Sequence, residues 1–141
     1  MNKIAVYFSH IIRGKKGSTA SQQDMDENCE KAKKVASWLR ENIPDLELYV
    51  PAEHEDFVQL AYLEKYLTEK QILDIDCKIL EKRDLLIVFE VDGWRGGGIG
   101  VEIVYAQDVA KIPIFYLKYT DGVTLLLLEQ MVEEILGKKG K

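Results

Sequence analysis

Short apolar runs and amphipathic segments alternate along this chain, as strands and helices alternate in α/β proteins. The run from Asp84 to Val91 is rich in β-branched side chains and is followed by turn residues, which predicts a buried strand. Three shorter apolar runs predict further strands at Lys3 to Phe8, Leu46 to Val50 and Ile112 to Leu117. The segments between these runs carry helical patterns.

The first intervening segment has the periodicity of a helix. It runs from about Asp24 to Asn42, and Pro44 helps to end it. Its apolar stripe consists of Ala32, Val35, Ala36 and Leu39. The segment from Ala52 to Leu67 is less regular, because its apolar residues have helical spacing but its start is polar. We expect it to form a loop and a short helix over the sheet.

Three further helices are expected in the second half of the chain. Thr68 and Gln71 have the capping-box spacing, in which each side chain can satisfy a backbone amide of the other residue, so a helix should extend to about Lys82. Another helix should open at Glu102, after a glycine-rich approach. A last amphipathic helix should span about Thr124 to Leu136.

Alternating strands and helices favour a mostly parallel sheet with helices on both faces. Right-handed crossovers would make the fold flavodoxin-like or Rossmann-like. The 141 residues are enough for one domain with a real core and too few to expect two. We therefore predict a single α/β domain over residues 1–137, followed by a basic, frayed tail over residues 138–141.

Composition and charge narrow the functional classes. A hydrophobic content of 47% and a charged content of 30% are those of an ordinary globular protein. The net charge of -5, with dispersed Lys and Arg, argues against a nucleic-acid partner but leaves room for a small anionic ligand. The longest apolar segments are far below bilayer length, and the amino terminus lacks the apolar region of a signal peptide. We expect a cytoplasmic protein without a membrane partner.

The cysteines indicate neither a disulfide framework nor a metal site. Cys29 and Cys77 are widely separated and belong to no Cys-x-x-Cys or Cys/His cluster. The glycine run from Gly96 to Gly100 has neither the spacing of a dinucleotide fingerprint nor that of a P-loop. The sequence therefore predicts no metal and no cofactor.

Glu102 is the most informative residue, because it is a lone carboxylate in a glycine-opened, otherwise apolar stretch. It follows a predicted strand, and ligands of open α/β sheets bind in the crevice at the carboxyl ends of the strands. Gly98 and Gly100 would add backbone amides and close access for a ligand. The alternative is a first-turn glutamate that the helix dipole stabilises without any function. In both cases the dipole should keep Glu102 ionised.

Asp76 is the second carboxylate in an unusual place. At ~100° per residue it falls in the middle of the apolar face of its helix, while Asp74 points to the opposite side. That face consists of Ile72, Ile75, Ile79 and Leu80. A carboxylate that faces the sheet requires partners, a raised pKa or a polar cleft, and such groups concentrate at functional sites. The alternative is a structural cap or ion pair at the rim.

Two loops carry further candidate ligand-binding groups. The loop after the first strand offers a phenol, a hydroxyl, an imidazole and a guanidinium, and Arg13 can meet a phosphate bidentately. Its residues are Tyr7, Phe8, Ser9, His10, Ile11, Ile12, Arg13 and Gly14. A solvated loop with a non-catalytic His10 is the alternative. Asp92 and Trp94 could hold a sugar hydroxyl and stack on a base, or form a turn and an interface aromatic.

Three short motifs resemble the nucleoside 2-deoxyribosyltransferase superfamily, and most closely its 2'-deoxynucleoside 5'-phosphate N-hydrolases. The motifs are Tyr7-Phe8 with Ile12-Arg13-Gly14, Asp76 placed eight residues before Asp84, and Gly98-Ile99-Gly100-Val101-Glu102 with Ala106. The resemblance covers most of the chain in element order, from the first strand to the fourth. It implies a domain of that family over residues 1–137 and a homodimer whose sites the neighbouring subunit helps to complete.

The resemblance also implies a role for each motif. Glu102 would be the nucleophile at the anomeric carbon of the sugar, Asp76 would protonate or orient the leaving base, and Tyr7 would hold Glu102. Arg13 and the loop from Ser9 to Gly14 would bind the 5'-phosphate. These roles suit the chemistry, since an oxocarbenium-like state calls for one carboxylate near the anomeric carbon and an acid near the leaving group.

The chain departs from the hydrolase pattern at two places near the expected phosphate site. Ile11 stands where the first loop usually has a serine, and a longer stretch with Trp94 and Arg95 replaces the serine expected near the Glu-bearing loop. We therefore consider Arg95 as a substitute phosphate ligand. The basic first loop still favours a phosphorylated substrate.

These observations predict a nucleotide N-glycosidase, with a small-molecule nucleotide or nucleoside as its substrate. It would release a free base and (deoxy)ribose 5-phosphate. One alternative is a deoxyribosyltransferase that exchanges bases between deoxynucleosides. Another is a non-catalytic sensor that binds a nucleotide in the same cleft, and a flavodoxin-like redox protein fits the motifs less well.

Overall fold

The computed structural model describes residues 3–54, 60, 66–90 and 94–139. Its sheet is parallel throughout and has the strand order β2-β1-β3-β4. The strands are β1 (Ile4–Ser9), β2 (Leu46–Tyr49), β3 (Leu85–Phe89) and β4 (Ile114–Leu117). This order is that of a flavodoxin-like sheet. The chain adds β2 on one side of β1, and then β3 and β4 on the other side. The predicted α/β class is confirmed, and each strand lies within a residue or two of its predicted position.

One face of the sheet carries a closed apolar core. Helix α1 (Gln22–Asn42) and helix α4 (Gly122–Lys139) cover this face. The buried strand residues that belong to this core are Ile4, Val6, Phe8, Leu46, Leu85, Ile87 and Leu117. The predicted stripe of α1 is buried as expected. The helix begins earlier than predicted because Ser21 and Asp24 form a capping box there.

The other face lies under two shorter helices. Helix α2 (Glu69–Glu81) begins at the predicted capping box, since Thr68 and Gln71 each accept a backbone amide of the other. Helix α3 (Gly97–Tyr105) follows β3, and one π turn continues it over Ala106–Ala110. Side chains on this face of the sheet include Tyr7, Leu86 and Val88. Because successive strand residues alternate between faces, β1 contributes to both layers.

Helices α3 and α4 also differ from their predicted boundaries. Helix α3 begins at Gly97, so Glu102 lies in its second turn and does not open the helix. Gly97 starts α3 with a φ of +58°, a conformation that glycine adopts without steric cost. Helix α4 begins at Gly122, where the Asp121 carboxylate accepts the amide of Thr124 at 2.8 Å. It continues to Lys139, so the predicted frayed tail is helical up to that residue.

The last described residue is anchored to the sheet. The Lys139 ammonium lies 2.7 Å from the Asp84 carboxylate, which also accepts the backbone amide of Ala5 at 2.9 Å. The predicted loop and short helix from Ala52 to Leu67 lie mostly outside the described residues; within them, Pro51–Glu53 forms a 3₁₀ turn. In the part of the chain described here, no helix combines the length and the apolar character needed to cross a membrane.

Candidate active site

A cleft opens at the carboxyl ends of β1 and β3, where the strand order reverses. Such switch points are the usual ligand sites of open α/β sheets. The cleft has a cavity volume of about 120 Å³, below the roughly 300–1,000 Å³ typical of sites for drug-sized ligands. The sheet supplies its floor through Tyr7, while α2 and α3 supply Asp76 and Glu102. The three predicted catalytic residues therefore line one cleft.

Glu102 is buried and held by a hydroxyl group. The Ser9 hydroxyl donates a hydrogen bond of 2.6 Å to Oε1 of Glu102. Burial and, to a lesser extent, the negative charge of Asp76 raise the pKa of Glu102 to about 7, although the Ser9 and Tyr7 hydroxyls oppose this rise. Glu102 lies beyond the first turn of α3, where the helix dipole is weak, and burial raises its pKa despite the dipole.

Asp76 faces the same cleft from α2, as predicted. Its side chain is buried, and burial raises its pKa to about 6. Ile72 and Leu80, one turn away on either side, are buried as well, and Asp74 is exposed as predicted. Ile75, by contrast, is 39% exposed, so it does not belong to the face that packs on the sheet. The buried face is narrower than the sequence suggests and is centred on Asp76.

Tyr7 lies beneath both carboxyl groups. Its side chain is fully buried, and its hydroxyl makes no hydrogen bond of good geometry within the described residues. It is nevertheless near enough to lower the pKa of Asp76 and of Glu102. Burial, followed by the charge of Glu102, raises the pKa of the phenol well above its ordinary value. Tyr7 therefore remains a neutral hydrogen-bond donor at the floor of the cleft.

Ser9 has a role that the sequence interpretation missed. The resemblance implies a place for Ser9 in the loop that would bind the 5'-phosphate, whereas the structure places it at the end of β1 with its hydroxyl on Glu102. The alternation of side chains along β1, together with the position of α3, could have predicted that Ser9 faces Glu102. Side chains two apart on a strand share a face, so Ser9 lies on the same side of β1 as Tyr7.

His10 is engaged through both of its ring nitrogens. Nδ1–H donates to the carbonyl of Ile11 at 3.0 Å, and Nε2 accepts the backbone amide of Ala52 at 3.1 Å. Burial lowers the pKa of His10 to about 4, so the ring is neutral near pH 7. The imidazole joins the loop after β1 to the turn after β2. This arrangement matches the non-catalytic alternative for His10.

The loop after β1 forms the wall of the cleft nearest to α1. Ile11, Ile12, Arg13 and Gly14 all line the cleft, as predicted. The side chain of Asn28 on α1 donates to the carbonyl of Ile12 at 2.8 Å and so fixes the loop. Gly14 has a φ of +66°, and a Cβ there would lie 3.1 Å from Cδ1 of Ile11. A larger residue at position 14 would strain the backbone that presents Arg13.

The glycine run brings backbone close to the cleft. Gly96, Gly97 and Gly98 line it, although only Gly98 was among the predicted site residues. Gly100 lies outside the cleft, and its role is packing, since a Cβ there would lie 2.8 Å from the carbonyl oxygen of Arg95. Trp94 lines the cleft as predicted and packs flat against Gly96, where a Cβ would lie 2.6 Å from the indole ring.

Arg95 does not line the cleft. Its predicted role as a substitute phosphate ligand is therefore wrong. Its guanidinium binds the buried carboxylate of Glu90, with Nε at 3.0 Å from Oε1, and stacks 3.9 Å above the ring of Tyr116. A buried carboxylate next to the loop holds the arginine more firmly than an open loop position would. Asp92, the other predicted ligand in this loop, lies outside the described residues.

Apolar residues one turn before each carboxylate complete the wall of the cleft. Leu73 precedes Asp76 by three positions on α2, and Ile99 precedes Glu102 by three positions on α3. Neither residue was predicted, yet helical spacing would have placed them beside the carboxylates. Within the described ranges, no three His, Cys, Asp or Glu side chains are grouped closely enough to hold a metal ion.

Comparisons with known proteins give no match to this chain, whether with protein-family models, with curated proteins or with solved structures. The cleft and the motif residues that line it are therefore the features that bear on function. Of these motifs, the structure brings Tyr7, Asp76 and Glu102 together with the loop that carries Arg13.

Proposed function

We propose that the protein hydrolyses the N-glycosidic bond of (deoxy)nucleoside 5'-monophosphates and releases the free base and (deoxy)ribose 5-phosphate. One observation carries this proposal: two buried carboxyl groups from different helices share a cleft, and the pKa of each is raised. A pair of carboxyl groups, one acting as acid and one as nucleophile, is what retaining glycosidases use.

In the first step, Glu102 attacks the anomeric carbon of the sugar. The carbon–nitrogen bond to the base breaks, its electron pair stays with the base nitrogen, and Asp76 delivers a proton to the base. The product is a glycosyl ester of Glu102. Since Ser9 donates to Oε1 of Glu102, we assign Oε2 as the attacking oxygen.

In the second step, water attacks the anomeric carbon. Asp76, now a carboxylate, takes a proton from this water, and the ester bond breaks with its electron pair returning to Glu102. The sugar phosphate leaves with retained configuration. Attack by a second base at this stage would give transfer, so the deoxyribosyltransferase alternative uses the same intermediate.

The electrostatics of the pair fit a shared proton. Both groups lie in a buried setting where two negative charges are disfavoured, and their pKa values of about 6 and about 7 bracket the range in which one proton is bound. The reaction needs Glu102 ionised and Asp76 protonated. That arrangement is the less populated of the two singly protonated forms, because the pKa of Glu102 lies above that of Asp76, and activity should be highest between about pH 6 and 7.

The phosphate end of the substrate would lie at the loop after β1. Arg13 lines the cleft there, and the backbone of Gly14 and Gly17 approaches closely. Guanidinium and backbone amides together form a common phosphate site. A 5'-phosphate on the substrate would meet this cation and these backbone amides, which favours a nucleotide over a free nucleoside.

A base-release assay tests the proposal. Nucleosides and nucleoside 5'-monophosphates are incubated with the protein, with and without a second free base, and the products are separated by chromatography. Glu102→Ala should lose about three orders of magnitude or more in rate, as expected for a covalent nucleophile. Glu90→Gln is the matched control, because Glu90 is also a buried carboxylate at a strand end but is held by Arg95 outside the cleft.

The possible results separate the alternatives. A new nucleoside in the presence of the second base would indicate the transferase. Nucleotide binding without base release, with affinity unchanged in Glu102→Ala, would indicate a sensor. Base release by Glu102→Ala at the wild-type rate would contradict the proposed intermediate.

We further propose that two copies of the chain assemble through the outer face of α3. This face exposes Val101, Val104 and Val109, and the shallow groove along it is lined almost entirely by apolar atoms. Gly97 lines both this groove and the catalytic cleft, so a second copy packed here would adjoin the site. Exposed apolar patches of this kind mark interaction surfaces.

Light scattering after size exclusion tests this assembly. Val104→Glu should convert a dimer to a monomer, because a charge would replace an apolar contact. Leu126→Glu introduces the same charge at an exposed apolar position of α4 and should leave the dimer intact. A monomeric wild type, or dissociation caused by Leu126→Glu alone, would contradict the proposed interface.

A further inference from the structure

A second cleft adjoins the candidate active site on the side of the phosphate loop. It has a cavity volume of about 210 Å³ and lies between this loop and the start of α1. The two clefts share a border formed by Ile11, Arg13, Gly14 and Trp94. A phosphate held by Arg13 in the first cleft would therefore be next to the opening of the second.

The second cleft is positively charged, in contrast to the chain as a whole. Its charged lining residues are Arg13, Lys15, Lys16, Lys31, Asp24 and Glu27, which give a formal charge of +2. The whole chain carries -5. Basic residues are otherwise dispersed along this acidic protein, so the local excess indicates an anion site.

The ion pairs within the cleft leave part of this charge available. Lys16 contacts the Asp24 carboxylate at 3.0 Å, which neutralises one of the two acidic groups. Lys15 and Lys31 are exposed and form no ion pair with any of the described residues. Their long side chains can turn towards an anion, and each ammonium group can donate to phosphate oxygens.

We propose that this second cleft binds the phosphate that follows the α-phosphate, so that the preferred substrates are nucleoside 5'-diphosphates and triphosphates. The inference rests on the proposed N-glycosidase function and extends its substrates beyond the 5'-monophosphates, so that the sugar product would keep the whole phosphate chain. Arg13 would contact the α-phosphate at the border of the two clefts, while Lys15 and Lys31 would contact the next phosphate. A monophosphate would use the first cleft alone.

Kinetics on one nucleoside, supplied as its 5'-monophosphate and its 5'-diphosphate, test this assignment. The KM for the diphosphate should be roughly tenfold lower than that for the monophosphate, and the advantage should shrink as salt screens the lysines. In the double variant Lys15→Ala/Lys31→Ala, the ratio of the two KM values should return towards one. Lys34→Ala/Lys78→Ala is the matched control, because both lysines are exposed and line neither cleft.

The outcomes distinguish this inference from the function on which it rests. Base release with equal KM values for the two nucleotides would overturn the second phosphate site and leave the glycosidase intact. If no nucleotide releases its base, the proposed function fails, and calorimetry with the same two nucleotides and with pyrophosphate still decides the site. Equal dissociation constants for the two nucleotides, or the same loss in both lysine double variants, would overturn it.

Discussion

The two faces of the sheet differ in what they bury, although one strand serves both. Even-numbered residues of β1, such as Val6 and Phe8, point into the apolar core under α1 and α4. Odd-numbered residues, Tyr7 and Ser9, point towards α2 and α3, where the carboxyl groups lie. The strand period of two thus separates a layer that stabilises the fold from a layer that carries candidate chemistry.

The difference between the faces is energetic as well as chemical. Burial of aliphatic side chains stabilises the apolar face by about 25 cal/mol per Å². On the other face, burial raises the pKa of Asp76 and of Glu102, so that holding these groups ionised costs free energy at neutral pH. Buried ionisable groups that lower stability in this way are typical of functional sites.

The largest effect is expected on the carboxylate face, for Asp76→Asn. An amide cannot deliver the proton that the leaving base requires, so kcat for base release should fall by roughly 10²–10⁴. Steady-state kinetics on a nucleotide with a poor leaving base measure the loss. Asp74→Asn, two positions away on the exposed side of α2, should leave kcat unchanged. A similar loss in both variants would remove Asp76 from the mechanism.

On the apolar face, the largest effect is expected for Leu39→Ala, which should lower the free energy of unfolding without a direct effect on the cleft. Leu39 is fully buried between α1 and the sheet, and Leu39→Ala leaves a cavity that costs about 2–5 kcal/mol of the free energy of unfolding. The loss should be the same at pH 5 and at pH 8, because no ionisable group is involved. Denaturant titration at the two pH values measures it, and a strong pH dependence would contradict the assignment of this face as a purely apolar core.

Glu102→Gln should raise the free energy of unfolding at pH 8, whereas Leu39→Ala should lower it. A carboxyl group whose folded pKa is raised binds its proton more tightly in the native state, so stability falls as pH rises from the ordinary value near 4.5 through about 7. Removing the charge should therefore stabilise the protein at pH 8, by on the order of 1–3 kcal/mol. At pH 4, where the carboxyl group is protonated in both states, the gain should vanish.

Thermal unfolding of wild type and Glu102→Gln at pH 4 and pH 8 checks this sign. Glu90→Gln is the matched control on the same face, because its carboxylate is paired with Arg95 and its loss should destabilise the protein at pH 8. A Glu102→Gln variant less stable than wild type at pH 8 would show that Glu102 is a structural group, and the contrast between the two faces would lose its energetic basis.

The sequence was a good guide to whatever depends on local periodicity. The strands, the stripe of α1 and the capping box of α2 all follow from patterns within one element. The inward position of Asp76 follows in the same way, from helical spacing and the cost of a buried charge.

Contacts that do not follow the periodicity of a single element were harder to predict. Arg95 forms an ion pair with Glu90. The spacing of these two residues does not show that this pair lies outside the cleft. The start of α3 at Gly97 depends on close packing between Gly100 and the carbonyl of Arg95, whereas glycines read in isolation suggest a loop. The contact between Ser9 and Glu102 joins β1 to α3. To predict it, one must combine the alternation of side chains along β1 with the position of α3 in the fold.

Ser9→Ala should have the smallest effect and tests the finest detail of the carboxylate face. The Ser9 hydroxyl lowers the pKa of Glu102, so its removal should raise that pKa further. Because the nucleophile must be ionised, the ascending limb of the pH profile of kcat/KM should move to higher pH, by less than about one unit. Ser37→Ala removes an exposed hydroxyl from α1 and should leave the limb in place. A merely structural Ser9 would lower the whole profile without moving it, since packing defects reduce the fraction of active protein and leave the ionisation of Glu102 unchanged.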